Sequence, residues 1–204
     1  MRFTPLMRSA APVLLAALWT MGCEKPPLAQ MDSASQSVEK ARSAQASTYA
    51  ASELARLEDS LRVAQAEVQH QNDRFIPSYE KAKQTLAWVE KTGPEVVDKA
   101  HKVKEETRAQ TRSLIDAAAA AVASADQALA EAPRGKGSQQ DIELIQNDLT
   151  QLRGQLEAAN QHLTAERFTE GQSAARSIKT EADRISGEIQ AAKERVEQLR
   201  GKRR

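Results

Sequence analysis

Few residues in this chain have the type and spacing to do chemistry. The 204 residues include one cysteine, Cys23, and three histidines, His70, His101 and His162. None of the histidines stands at the spacing of a metal signature such as H-E-x-x-H. His70 and His162 fall late in two similar segments, where a shared metal or pH-sensing site would want them; they are read as solvent-facing polar residues. Gly135-Lys136-Gly137-Ser138 has the ending of a phosphate-binding loop. Ala130, however, stands where that motif needs its first glycine, and Gly137 where a Ser or Thr must hold magnesium, so the stretch is read as a connector. Carboxylates are many, among them Glu53, Glu58, Asp59, Glu105, Glu106, Glu166, Glu170, Glu181 and Asp183. They interleave with cations three and four residues away, as in Glu58 to Arg62 and Glu181 to Arg184, the pattern of solvated helix faces. No two of them are set to share a cleft for acid–base work. Catalytic residues, bound metal and cofactor are therefore all expected to be none, and the chain is not expected to be an enzyme.

The chemistry expected of Cys23 is lipidation. Arg2 and Arg8 precede an apolar run from Ala10 to Trp19, of signal-peptide length and short for a membrane span. Thr20-Met21-Gly22 then leads to Cys23. This resembles a bacterial lipoprotein signal, with cleavage before the cysteine and lipid on its sulfur, although Thr20 stands where leucine is usual. An ordinary signal peptide cut near Gly22 and an uncleaved inner-membrane anchor are the alternatives. Several acyl chains on one residue anchor firmly, each buried CH₂ adding about 0.8 kcal/mol. Glu24 is not the aspartate that often marks inner-membrane retention, which favours the periplasmic face of the outer membrane.

Two further features are candidate partner contacts. Trp88 is the only tryptophan after the leader, and tryptophan is enriched in interface hot spots; the competing reading is helix packing. Arg200, Lys202, Arg203 and Arg204 form a basic cluster at a helix end, suited to anionic head groups or cell-wall polymer. Phe75, Tyr79 and Phe168 are assigned to the core.

The elements that must carry these residues are helices. Alanine is about one residue in six, aromatics are 3%, and glycine and proline together are only 15. That composition argues against a sandwich or barrel. The charge balance, 29 Lys+Arg against 28 Asp+Glu, leaves no basic footprint for nucleic acid. Apolar residues step by three and four along Leu54–Leu57–Leu61–Ala64–Val68, along Ile142–Ile145–Leu149–Leu152–Leu156–Ala159–Leu163 and along Ile178–Ala182–Ile185–Ile189. Such narrow seams mark helices packed with coiled-coil geometry. Six helices are expected, over about 31–48, 52–71, 75–91, 95–131, 140–164 and 166–200, with a break at Thr92-Gly93-Pro94 and a loop at 133–138. The middle of the fourth, polar at Thr107 and Gln110, should be its loosest part.

The expected organisation is a signal peptide over 1–22, a lipidated tether over 23–30, and two helical repeats over 31–92 and 93–204. The fold class is all-α, an elongated antiparallel bundle of two repeated three-helix units. The repeat rests on Leu54, Leu57, Leu61, Ala64 and Val68 matching Leu149, Leu152, Leu156, Ala159 and Leu163 at one offset. Arg74-Phe75 then falls on Arg167-Phe168 and Ala82 on Ala175 after a two-residue contraction.

The segment with Ser37, Val38, Ala41, Ala44, Tyr49, Ala50, Glu53, Leu54, Leu61 and Ala64 resembles an uncharacterised family of small, alanine-rich bacterial envelope lipoproteins, often encoded beside OmpA-like peptidoglycan-binding proteins. The likeness covers about 31–90 and, more loosely, 112–185. The family's Tyr-Ala-Pro is Tyr49-Ala50-Ala51 here. The resemblance implies an envelope location and no reaction. The expected function is that of a membrane-anchored structural or adaptor lipoprotein. It would bind an envelope protein, an OmpA-like one included, or a second copy through its helices. The alternative is a ligand-binding or sensing module with a groove between the repeats.

Overall fold

The computed structural model describes residues 24–132 and 139–201, with side chains through residue 198. Every regular element among them is an α-helix: α1 (Leu28–Ser43), α2 (Ala46–Tyr49), α3 (Ala51–Asn72), α4 (Glu80–Ala130), α5 (Gln139–Thr164) and α6 (Phe168–Gly201). The all-α expectation holds. The expected leader, Cys23, the expected loop at 133–138 and Lys202–Arg204 lie outside the described residues.

The main departure is α4. Two helices broken at Thr92-Gly93-Pro94 were expected; one helix of 51 residues runs through, about 75 Å at 1.5 Å per residue. The boundary drawn between residues 92 and 93 therefore lies inside a helix. Pro94 removes one amide donor and its ring crowds the preceding turn. The helix continues because buried residues flank the site on one stripe: Leu86 and Val89 before it, Val96 and Ala100 after it. Gly93 is on that stripe too, and a Cβ built there would lie 2.8 Å from Ser37 Cβ. The glycine is a contact point where α1 presses on α4, not a turn.

The start of α4 is also later than expected. Proline at 77 restricts Ile76 to extended backbone, so the helix begins at Glu80 and 73–79 forms a connector. Tyr79 takes the first seam position and is buried, whereas Phe75 is 98% exposed. The assignment of Phe75 to the core is thus corrected, while Tyr79 and Phe168 are buried as expected. The match of Arg74-Phe75 to Arg167-Phe168 fails with it, since one phenyl ring is in solvent and the other in the core.

The expected first helix divides into α1 and α2. Gln45 adopts φ 60°, ψ 30°, in the left-handed region, and its N–H donates to Arg42 O at 2.9 Å, a turn that ends a helix. Ala51 opens α3, at the first helical position, where proline is best tolerated. α1 itself begins at Leu28, inside the segment expected as tether.

α4 packs against all five other helices, and α1, α2 and α3 touch neither α5 nor α6 among the described residues. Two principal cores result. One gathers Val38, Leu54, Leu57, Leu86, Val89 and Val96. The other gathers Ile115, Val122, Leu149, Leu152, Ile178 and Ile185. Both are filled out with alanines, which let helices approach closely but bury little area each. Cross-helix pairs give the directions: Glu53 (α3) with Lys99 (α4) at 2.5 Å, Asp126 (α4) with Arg153 (α5) at 2.6 Å and Glu131 (after α4) with Lys193 (α6) at 3.0 Å. With Asn72 bonded to Tyr79, Glu166 to Lys104 and Gln172 to Thr111 as second points, α3 and α5 run antiparallel to α4, and α6 parallel to it.

Candidate functional site

The end of the molecule where α4 begins carries the densest set of features. Glu24, the residue after Cys23, accepts a hydrogen bond from Tyr79 N–H at 3.0 Å and pairs with Lys83 Nζ. These contacts, the Lys83 bond first, hold its carboxyl below the usual range. Tyr79 hydroxyl donates to Asn72 Oδ1 at 2.6 Å, and Ser78 N–H donates to Gln71 Oε1 at 3.1 Å. The start of α1, the end of α3 and the start of α4 are thereby locked together, with Met31 packed on Val68, Tyr79 and Ala82. Beyond the lock project Phe75 and Ile76, 98% and 74% exposed, with Leu28, 67% exposed, at the first position of α1. The sequence places Glu24 in the tether and gives it a bearing on membrane sorting, but predicts no seat for it on α4. The signal for its role was weak, because the pairing joins residues 55 and 59 positions apart.

Trp88 lies on the outer face of α4, 38% exposed, between the buried Leu86 and Val89. It is neither core nor a lining residue of the grooves described next. A shallow groove of about 710 Å³ runs between α1 and α4, lined by residues including Asp32, Gln36, Lys40, Val97 and His101. A second, about 440 Å³, lies where α5 ends on α4, lined by Glu105, Arg108, Ala109, Arg112, Leu163 and Thr164.

The middle of α4 holds a polar junction. Glu166, in the turn after α5, adopts φ 57° and accepts from Lys104 at 2.6 Å and Arg108 at 2.7 Å. Its carboxyl is held low, by the Lys104 bond first. Arg108 also lies 6.0 Å from the Phe168 ring centroid, at the outer limit of a cation–π contact. Thr111, fully buried, donates to Thr107 O at 2.8 Å and accepts from Gln172 Nε2 at 3.1 Å. Gly171 makes room, since a Cβ there would sit 3.1 Å from Thr111 Cγ2. The buried polar seam position is therefore Thr111, one turn beyond Thr107 and next to Gln110.

The remaining candidates are kept apart. His70 is exposed, and His162 is half-buried against Gly171 rather than facing solvent. Among the described residues, no group of three or more His, Cys, Asp or Glu side chains could hold a metal ion. Glu58 pairs with Arg42 of α1 at 2.7 Å in place of the expected Arg62, which takes Asp59. Glu181 holds Arg184 at 2.5 Å as expected. No helix among the described residues is long and apolar enough to cross a membrane. Cys23, the Arg200 side chain, Lys202, Arg203 and Arg204 lie outside the described residues. No family model, curated protein or solved structure matches the chain.

Proposed function

We propose that this chain is an envelope lipoprotein, held by acylated Cys23 on the periplasmic face of the outer membrane. Its helical rod serves as a structural or adaptor piece that binds a partner protein in cell-envelope or peptidoglycan organisation. The observation that carries this reading is the seating of Glu24 on Tyr79 and Lys83. A lipid one residue upstream would hold the base of α4 directly, without slack, and the rod would project up to about 75 Å from the bilayer. A binding role rather than a catalytic one is supported by the carboxylates: Glu53, Glu58, Asp126, Glu131 and Glu166 are each engaged by a cation on another element. An OmpA-like partner, or a second copy, is part of the proposal through the family resemblance.

The same reading includes an ancestral duplication. Leu54, Leu57, Leu61 and Ala64 on α3 and Leu149, Leu152, Leu156 and Ala159 on α5 share one pattern, buried, buried, half-buried, buried, and diverge at the fifth pair, where Val68 is buried and Leu163 half-buried. α4 would then complete both units, as the last helix of one and the first of the other.

The test is the intact mass of the protein from envelope membranes, followed by cross-linking in intact cells. A chain starting at acylated Cys23 and cross-linked to an envelope protein is the expected result. An unmodified or full-length chain would remove the anchor, and an acylated chain that cross-links to nothing would remove the adaptor role. A sensing module is the second reading, favoured by the groove where Arg108 and Arg112 flank Leu163. It predicts that cell-wall fragments bind the purified protein and that Arg112→Ala weakens them; calorimetry showing no heat with any fragment would remove it.

A further inference from the structure

The connector between α3 and α4 projects two large apolar side chains into solvent beside the point where the chain arrives from Cys23. Phe75 is 98% and Ile76 74% exposed, and Leu28, at the first position of α1, is 67% exposed. Their neighbours are not loose. Tyr79, Asn72, Gln71 and Ser78 are hydrogen-bonded beneath them, and Glu24 closes the base from the N-terminal side. A rigid platform thus holds an apolar tip outward. The sequence upstream of Glu24 contains the Ala10–Trp19 apolar run and Cys23, and both acylation and an uncleaved anchor bring a bilayer to this end.

We propose that Phe75 and Ile76 form a wedge that enters the interfacial layer of the membrane beside the anchor, with Leu28 at its edge. The proposal rests on the tether reading above. Interfacial segments bury apolar side chains roughly 5–10 Å into the boundary between head groups and acyl chains, within reach of two adjacent side chains on a connector. The wedge gives the rod a second point of contact, so that it cannot swivel freely about a single lipidated residue. The charges at this end are balanced. Lys25, Arg74 and Lys81 stand against Glu67, Asp73 and Glu80, and Glu24 is paired with Lys83. The Glu67 carboxyl is held low by its bond from Gln71 first, and less by the nearby Lys81, His70 and Arg74. The contact is therefore apolar and needs no anionic lipid.

The test uses the full chain with Ile76→Cys carrying a polarity-sensitive fluorophore, in vesicles that contain lipids brominated near the head group. Leu144→Cys, on α5 and 62% exposed, is the control. In vesicles of zwitterionic phosphatidylcholine the label at 76 should shift to the blue and lose most of its emission, while the label at 144 keeps both. Adding Phe75→Ser should restore much of the emission at 76 without changing helix content. An acylated, vesicle-bound chain whose label at 76 stays unquenched overturns the wedge and leaves the tether standing. Quenching confined to phosphatidylglycerol vesicles and abolished by salt also overturns it, because charge would then make the contact. An unacylated chain that stays free of vesicles on flotation removes the tether and the wedge together.

Discussion

Glu53 and Lys99 meet across α3 and α4 at 2.5 Å, and their pairing sets a pH dependence. The Lys99 bond, then Ser52 and the residue's own backbone N–H, lower the Glu53 carboxyl from 4.5 to about 2. A carboxylate lowered on folding adds stability above its unfolded value and loses it as pH falls through the folded one. The window is therefore from about 4.5 down to about 2. Both side chains are open to water, so the effect is modest and weakened by salt. Glu53→Gln should lower the urea midpoint at neutral pH, and the gap from wild type should close on acidification across that window. A gap that stays constant to the acid end would show that the pair adds nothing. At the same scale, one phenyl ring was misplaced by pattern alone. Phe75 has helical spacing to Tyr79, but Pro77 between them keeps that spacing from becoming a helix.

The helices themselves show how one residue type can act in opposite ways. Gly93 faces Ser37 Cβ at 2.8 Å, whereas Gly154, also helical, has open space around its Cβ position. Alanine is the better helix former by about 0.8–1 kcal/mol. Gly154→Ala should therefore raise stability by up to about 1 kcal/mol. Gly93→Ala should lower it by about 1–3 kcal/mol, because α1 must move away from α4. Equal gains from both in urea titrations would contradict the close approach. Pro94 is the second test of α4. It is exposed and interior to the helix, where proline costs about 3 kcal/mol relative to alanine. Pro94→Ala should raise stability by up to about 3 kcal/mol, read as a higher urea midpoint; a lower midpoint would mean that the ring serves a contact or a bend.

At the scale of the molecule, α4 is the only helix among the described residues that both principal cores share, and between Ala100 and Thr111 it buries no side chain fully. What holds that stretch is polar, chiefly Glu166 on Lys104 and Arg108. Local openings follow low burial, so amides at 101–110 should exchange faster than those at 82–100 or 111–129. Uniform protection along α4 would sink this. The cores should also separate when one is weakened. Leu57, fully buried in the first core, should cost about 2–5 kcal/mol when cut to alanine. In the chain from Cys23 onward, where Trp88 is the only tryptophan, its fluorescence should then report melting at a lower temperature than the overall helix signal. Coincident transitions would mean that the continuous helix couples the two cores fully.

Local composition and period determined the helical class, the seams of α3, α5 and α6 and most of their buried residues. Alanine-rich, proline-poor segments have few alternatives to helix, and a three–four spacing of apolar residues already states which face is hidden. Ala64, Leu149, Ile178 and Ile185 were readable in that way, and each is buried. Only tertiary structure decided the fate of Thr92-Gly93-Pro94 and the exposure of Phe75. A glycine-proline pair locally favours a turn over a helix, and the packing of Leu86, Val89, Val96 and Ala100 on one stripe, with α1 against Gly93, outweighs that bias. It also decided what Glu24 and Glu166 do. Their cations lie roughly sixty residues away in the chain, and a Coulomb contact depends on distance in space, which no spacing in the sequence records.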